Sequence, residues 1–104
     1  MNDSITARRP NTLMPERETW KLMLYVAGQS SRSLNAYVNL TAICEQHLRG
    51  RYQIEVIDLF LHPQLAKRNQ ILAIPTLVRS QPKPERKIIG DLSNTERVLK
   101  SLDL

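Results

Sequence analysis

The stretch LMLYVAGQSSRSL, residues 22–34, decides the fold. Leu22, Leu24 and Val26 alternate with Met23 and Tyr25, so an extended segment over 20–27 is apolar on both faces. A strand of that kind sits inside a sheet covered on both sides. Gly28 ends it. Ser30 or Ser31 can then cap a helix by accepting a hydrogen bond from a free backbone N–H. Further on, Leu34, Tyr37, Val38, Thr41, Cys44 or Glu45, and Leu48 recur at helical spacing, and Leu40 and Ile43 widen the stripe. The spacing predicts a helix over about 33–49, ended at Gly50, with this stripe as its core-facing side.

Working outward, YQIEVIDLFL (52–61) alternates as a second strand, with Tyr52, Ile54 and Val56 on one face. Strand, long crossover and strand make a parallel βαβ unit. HPQLAKRNQIL (62–72) predicts a short, weak helix with Pro63 in its first turn. Residues 76–79 and 86–89 read as two short strands joined by QPKPE, close enough to pair antiparallel. SNTE, residues 93–96, has the form of a capping box, Ser93 with Glu96, ahead of a helix with Val98, Leu99 and Leu102 on its apolar side. The order is β-α-β-α-β-β-α, an α/β chain with a thioredoxin-like sequence of elements. Residues 1–19 are polar, contain Pro10 and Pro15 and show no period, which reads as a flexible N-terminal tail before a single domain over 20–104.

The chain carries 104 residues with a formal charge of +5, so an anionic partner is among the options. The basic residues are scattered, apart from an excess formed by Arg79, Lys83, Arg86 and Lys87. Aromatic residues do not interleave with them, which disfavours nucleic-acid binding by base stacking. No apolar run approaches a membrane helix, and residues 1–18 lack a signal-peptide core, so the expectation is a cytoplasmic protein without membrane contact.

Thioredoxin-like enzymes hold a cysteine pair at the start of the first helix, where the helix field lowers a thiol pKa. Here that position reads Gln29, Ser30, Ser31, Arg32, and the single Cys44 lies at an apolar position toward the other helix end. The turn also lacks the glycines and the Lys-Ser/Thr pair of nucleotide-binding loops. His47 and His62 have no recognisable carboxylate or serine partners, Asp58 ends its strand without a visible one, and no metal-ligand spacing occurs. These readings predict neither an enzyme nor a cofactor. Pro75 stands before the third strand, where thioredoxin-like folds hold a cis proline, and is the candidate cis proline.

LYVAG, VIDL, HPQLA, ILAIPTL, KIIGDLSNTERVL and LDL together resemble the KaiB family of small bacterial clock proteins, over residues 21–104. The resemblance implies a non-enzymatic regulator that binds the N-terminal ring of a KaiC-type hexameric ATPase. It brings in, as further partners, a KaiA-like protein or a histidine kinase with a KaiB-like domain. It implies two folds: the thioredoxin-like monomer as the KaiC-bound form, and a resting homotetramer with order β-α-β-β-α-α-β. It points to Arg86, Lys87 and Asp103 for docking or assembly, and to Pro75, Gly90, Asp91 and Ser101 for fold switching and structure. The chain departs from the clock pattern at Lys67 and Arg68, where the family has acids, at Gln53 and Glu55, and at Ser101, where it has glycine. The rival readings are a thioredoxin-like redox or stress protein and a basic nucleic-acid-binding module.

Overall fold

The computed structural model describes residues 18–104, so nearly all of the segment read as a flexible tail lies outside the described residues. The elements are β1 (Trp20–Val26), α1 (Ser31–His47), β2 (Tyr52–Asp58), α2 (Gln64–Arg68), β3 (Thr76–Gln81), β4 (Arg86–Ile89) and α3 (Thr95–Ser101). They form one four-stranded sheet in the order β2-β1-β3-β4. β1 runs parallel to β2, with Leu24 beside Val56, and antiparallel to β3, with Leu24 beside Leu77. β3 and β4 form the expected antiparallel pair.

The double apolar face of β1 explains this layout. Leu22, Leu24 and Val26 join α1 and α3 in the larger core, completed by Leu77 and Ile88. Met23 and Tyr25 turn to the other face, where Ile57, Leu59, Ile71 and Val78 form a smaller core against Leu65 and Ala66 of α2. The five-residue α2 has no side-chain cap and depends on that packing.

Two expectations are corrected. α1 is rotated relative to the predicted stripe. Its buried side chains are Ser33, Ala36, Leu40, Ile43 and Cys44, while Leu34, Tyr37 and Val38 are 52%, 46% and 63% exposed. Ser33 and Ala36 are small and let the helix sit close to the sheet, whereas Leu34 and Tyr37 on that side would hold it off. The cap of α3 is Asn94, whose side chain accepts from the Arg97 N–H at 3.1 Å, and not Ser93. Asp91 Oδ1 accepts the Ser93 N–H at 3.1 Å, so the helix begins one residue later and the Ser93–Glu96 box does not form.

Candidate functional site

The strand–helix turn is a fastened junction. Ser30 caps α1, its hydroxyl accepting from the Ser33 N–H at 3.2 Å. Asp58 Oδ1 accepts from the N–H groups of Gly28 at 3.0 Å and Phe60 at 2.9 Å, so the carboxylate ties the end of β2 to the end of β1. Gly28 has φ +66, and a side chain there would meet the Phe60 ring at about 3.0 Å. Asp58→Ala should lower stability by about 2 kcal/mol, read by denaturant unfolding, because two backbone donors lose a charged acceptor. Asp58→Asn keeps one acceptor oxygen and should cost less.

Cys44 is fully buried in the larger core. Burial pushes its thiol up to about 12, so it is neutral at physiological pH. Among the described residues, no group of three or more His, Cys, Asp and Glu gathers in a way that could hold a metal ion. No helix there is long and apolar enough to cross a membrane.

The residues singled out for docking and switching fall at the β3–β4 hairpin and the C-terminus. Arg86 and Asp103 meet, Nη2 to Oδ2 at 3.5 Å. Lys87, the other half of the basic pair, points to the opposite sheet face, as neighbouring strand residues must. There its Nζ donates to the carbonyls of Asn69 at 3.1 Å and Gln70 at 3.4 Å, fastening the end of α2. The Ile74–Pro75 peptide is cis, and the Pro75 carbonyl accepts the Gly90 N–H at 2.9 Å. The Asp91 carbonyl accepts from Asn39 Nδ2 of α1 at 2.8 Å, and its carboxyl is held below its usual range by the Ser93 hydrogen bonds. Ser101 is the last residue of α3.

Arg79 is the correction that matters most. The sequence groups it with a basic excess that reads as solvated surface, yet it is 2% exposed. Its guanidinium lies 5.1 Å from the Trp20 ring centroid. Nη1 donates to the Leu102 carbonyl at 2.6 Å, Nη2 to the Pro84 carbonyl at 2.7 Å, and Asp103 Oδ2 lies 3.6 Å away. One buried cation thus joins β1, the hairpin loop and the C-terminus. With Arg79 inside, the basic cluster that the nucleic-acid reading rests on loses one of its four cations from the surface. In the sequence, Arg79 shares a strand face with Leu77, and that placement in a β-rich run was the signal available for an inward cation.

Beside Lys87 lies a mainly apolar groove of about 650 Å³ along the β4 edge, lined by Ala66, Lys67, Ile71, Leu72, Lys87 and Ile89, among others. Leu72 is 93% and Ile89 60% exposed. Sequence reading did not find it, because its walls come from α2, the segment after it and β4. Lys67 and Lys87 thus stand beside an exposed apolar surface.

Residues 23–104 match the family described as KaiB domain. The circadian clock oscillator protein KaiB of Nostoc sp. is 52% identical over 88 residues, covering 85% of this chain and 82% of that protein. Its counterpart from Thermosynechococcus vestitus is 49% identical over 92 residues, covering 88% and 85%. Among solved structures, the N-terminal domain of Synechococcus elongatus SasA superposes with a TM-score of 0.68 at 20% identity, over 83% of this chain and 85% of that one. Mitochondrial thioredoxin 3 from Saccharomyces cerevisiae gives 0.65 at 18% identity, over 90% and 89%. At such identities both likenesses speak for the fold alone, which is thioredoxin-like.

Proposed function

Because this chain belongs to the KaiB family, we propose that it is a non-enzymatic regulator that binds a KaiC-type hexameric ATPase and modulates its phosphorylation and ATPase cycle. The binding unit is the thioredoxin-like form, and the free protein also populates a resting tetramer with the family's other fold. A KaiA-like protein or a histidine kinase with a KaiB-like domain is a further partner of the bound form.

The observation that carries the reading is the apolar groove at the β4 edge with Lys67 and Lys87 on its rim. It suits a partner surface that presents an apolar plug flanked by acids. Arg86 and Asp103 support the site from the other sheet face, through the network around Arg79. Lys67 and Arg68 reverse the charge of the clock-type acidic pair, so the partner is an ATPase whose docking face is more acidic than that of the standard clock KaiC. Gly90, Asp91 and Ser101 lie in the elements that must rearrange in the resting fold.

The test adds the protein to its cognate KaiC-type ATPase with nucleotide and follows phosphorylation and ATP turnover. A Cys44→Ser variant should alter both as the parent protein does. Loss of the effect in that variant would return the thiol-dependent reading.

A further inference from the structure

Tyr25 is buried in the smaller core, yet its hydroxyl reaches the end of α2, where it accepts from Asn69 Nδ2 at 2.9 Å. Asn69 is the first residue after α2, and the chain leaves the helix there in a turn with two backward bonds. The Gln70 N–H donates to the Lys67 carbonyl at 3.2 Å and the Ile71 N–H to the Ala66 carbonyl at 2.8 Å. Such a turn needs one left-handed residue, usually glycine. Gln70 fills that place at φ +57, a conformation that a side chain disfavours. With five residues and no side-chain cap, α2 holds neither itself nor its exit. Two outside ties do so: the Tyr25 hydroxyl on the Asn69 side chain, and Lys87 Nζ on the Asn69 and Gln70 carbonyls.

The tied segment and the lysine that ties it are the two walls of the groove, Gln70 and Ile71 on one side, Lys87 and Ile89 on the other. The Lys87 ammonium has three N–H donors, and the two carbonyls take two of them. Among the described residues no carboxylate pairs with it. The carbonyls therefore orient the ammonium without neutralising it, and one donor is left for a partner.

We propose that Asn69 and Tyr25 are positioning residues of the docking groove: their hydrogen bond sets the α2 wall and the Lys87 ammonium in the docking geometry before a partner arrives. The proposal rests on the docking reading given above. Neither side chain has to touch the partner, because Tyr25 is buried and Asn69 is bound inward. They act through Lys87 and the end of α2. Order completed in the free protein does not have to be gained on binding, which raises affinity without any new contact. It also makes Lys87 selective. A fixed ammonium reads a carboxylate at one place on the partner, whereas a free lysine would serve any acid nearby.

Two measurements on the full chain test this: amide hydrogen exchange over residues 64–72 of the free protein, and isothermal titration against the cognate ATPase with nucleotide. Tyr25→Phe keeps the buried ring and removes only the hydroxyl. That variant and Asn69→Ala should each speed exchange at the Asn69, Gln70 and Ile71 amides about tenfold and weaken binding about fivefold. The double variant should lose no more than either single one, since the two side chains are halves of one bond. Gln70→Gly suits the left-handed turn and should recover most of the loss in Asn69→Ala. Ser30→Ala is the control for general stability: it removes the cap of α1, touches neither groove wall, and should leave affinity within about twofold. Full affinity in Tyr25→Phe and Asn69→Ala, with the parent bound, overturns the proposal and leaves the docking reading standing. Additive losses, or a loss in Ser30→Ala as large as theirs, also overturn it. A parent chain that binds no ATPase overturns the docking reading and this proposal with it.

Discussion

Arg79→Ala should cost about 3 kcal/mol, the largest loss expected of a single substitution in this chain outside the large apolar core residues. The buried guanidinium satisfies the carbonyls of Leu102 and Pro84 and stacks on Trp20. Its removal leaves two carbonyls without a donor and a cavity where the side chain packed against the ring. Burial of the charge has its own cost, since Nε has no hydrogen-bond partner and Asp103 is more than half exposed. A long apolar replacement should therefore lose less. Arg79→Met keeps most of the volume and removes the desolvated charge, and should cost about 1–2 kcal/mol. A domain of this size has only about 5–10 kcal/mol of stability, so the alanine variant should melt roughly 12–20 °C lower. Denaturant unfolding of the three proteins checks the order. Equal losses for Ala and Met would mean that the charge matters and the packing does not.

The second large effect is on binding. Leu72→Glu and Ile89→Glu should each reduce affinity for the ATPase by about 100-fold, with unfolding midpoints close to that of the parent. Both side chains stand largely in solvent, so their replacement disturbs little in the free protein. In a complex they would fill apolar pockets on the partner, and an acid there would be buried unpaired and set against the acids expected to face Lys67 and Lys87. Lys87→Glu is the less informative variant, because it also removes the cap that Lys87 places on the end of α2. Isothermal titration against the ATPase with nucleotide bound measures the effect. Unchanged affinity for both acids would move the docking surface elsewhere on the protein.

The sequence carried the layout well because its strongest signals are local. The two apolar faces of β1 placed it inside the sheet, and the crossover through α1 made β2 its parallel neighbour. The orientation of α1 was less legible. The helix has apolar residues on two sides, and the smaller Ser33 and Ala36, rather than the more conspicuous Leu34 and Tyr37, decide which side fits the sheet. Asp58 had no visible partner because its partners are backbone donors, one of them thirty positions away. Arg79 read as one more surface cation because its acceptors, Leu102 and Pro84, are carbonyls that leave no mark in a residue pattern. The groove escaped notice for a related reason: its walls are distant in the chain, and each of its apolar residues is unremarkable alone.

The central claim, that this chain regulates a KaiC-type ATPase by binding it, meets its most direct test in native mass spectrometry. The protein is incubated with the cognate ATPase and nucleotide, over a range of concentrations and for long enough to allow slow conversion between folds. The account predicts a defined complex, with copies of this chain bound as single thioredoxin-like units to the ATPase hexamer. Absence of any complex across that range, with the ATPase hexamer intact, would contradict it.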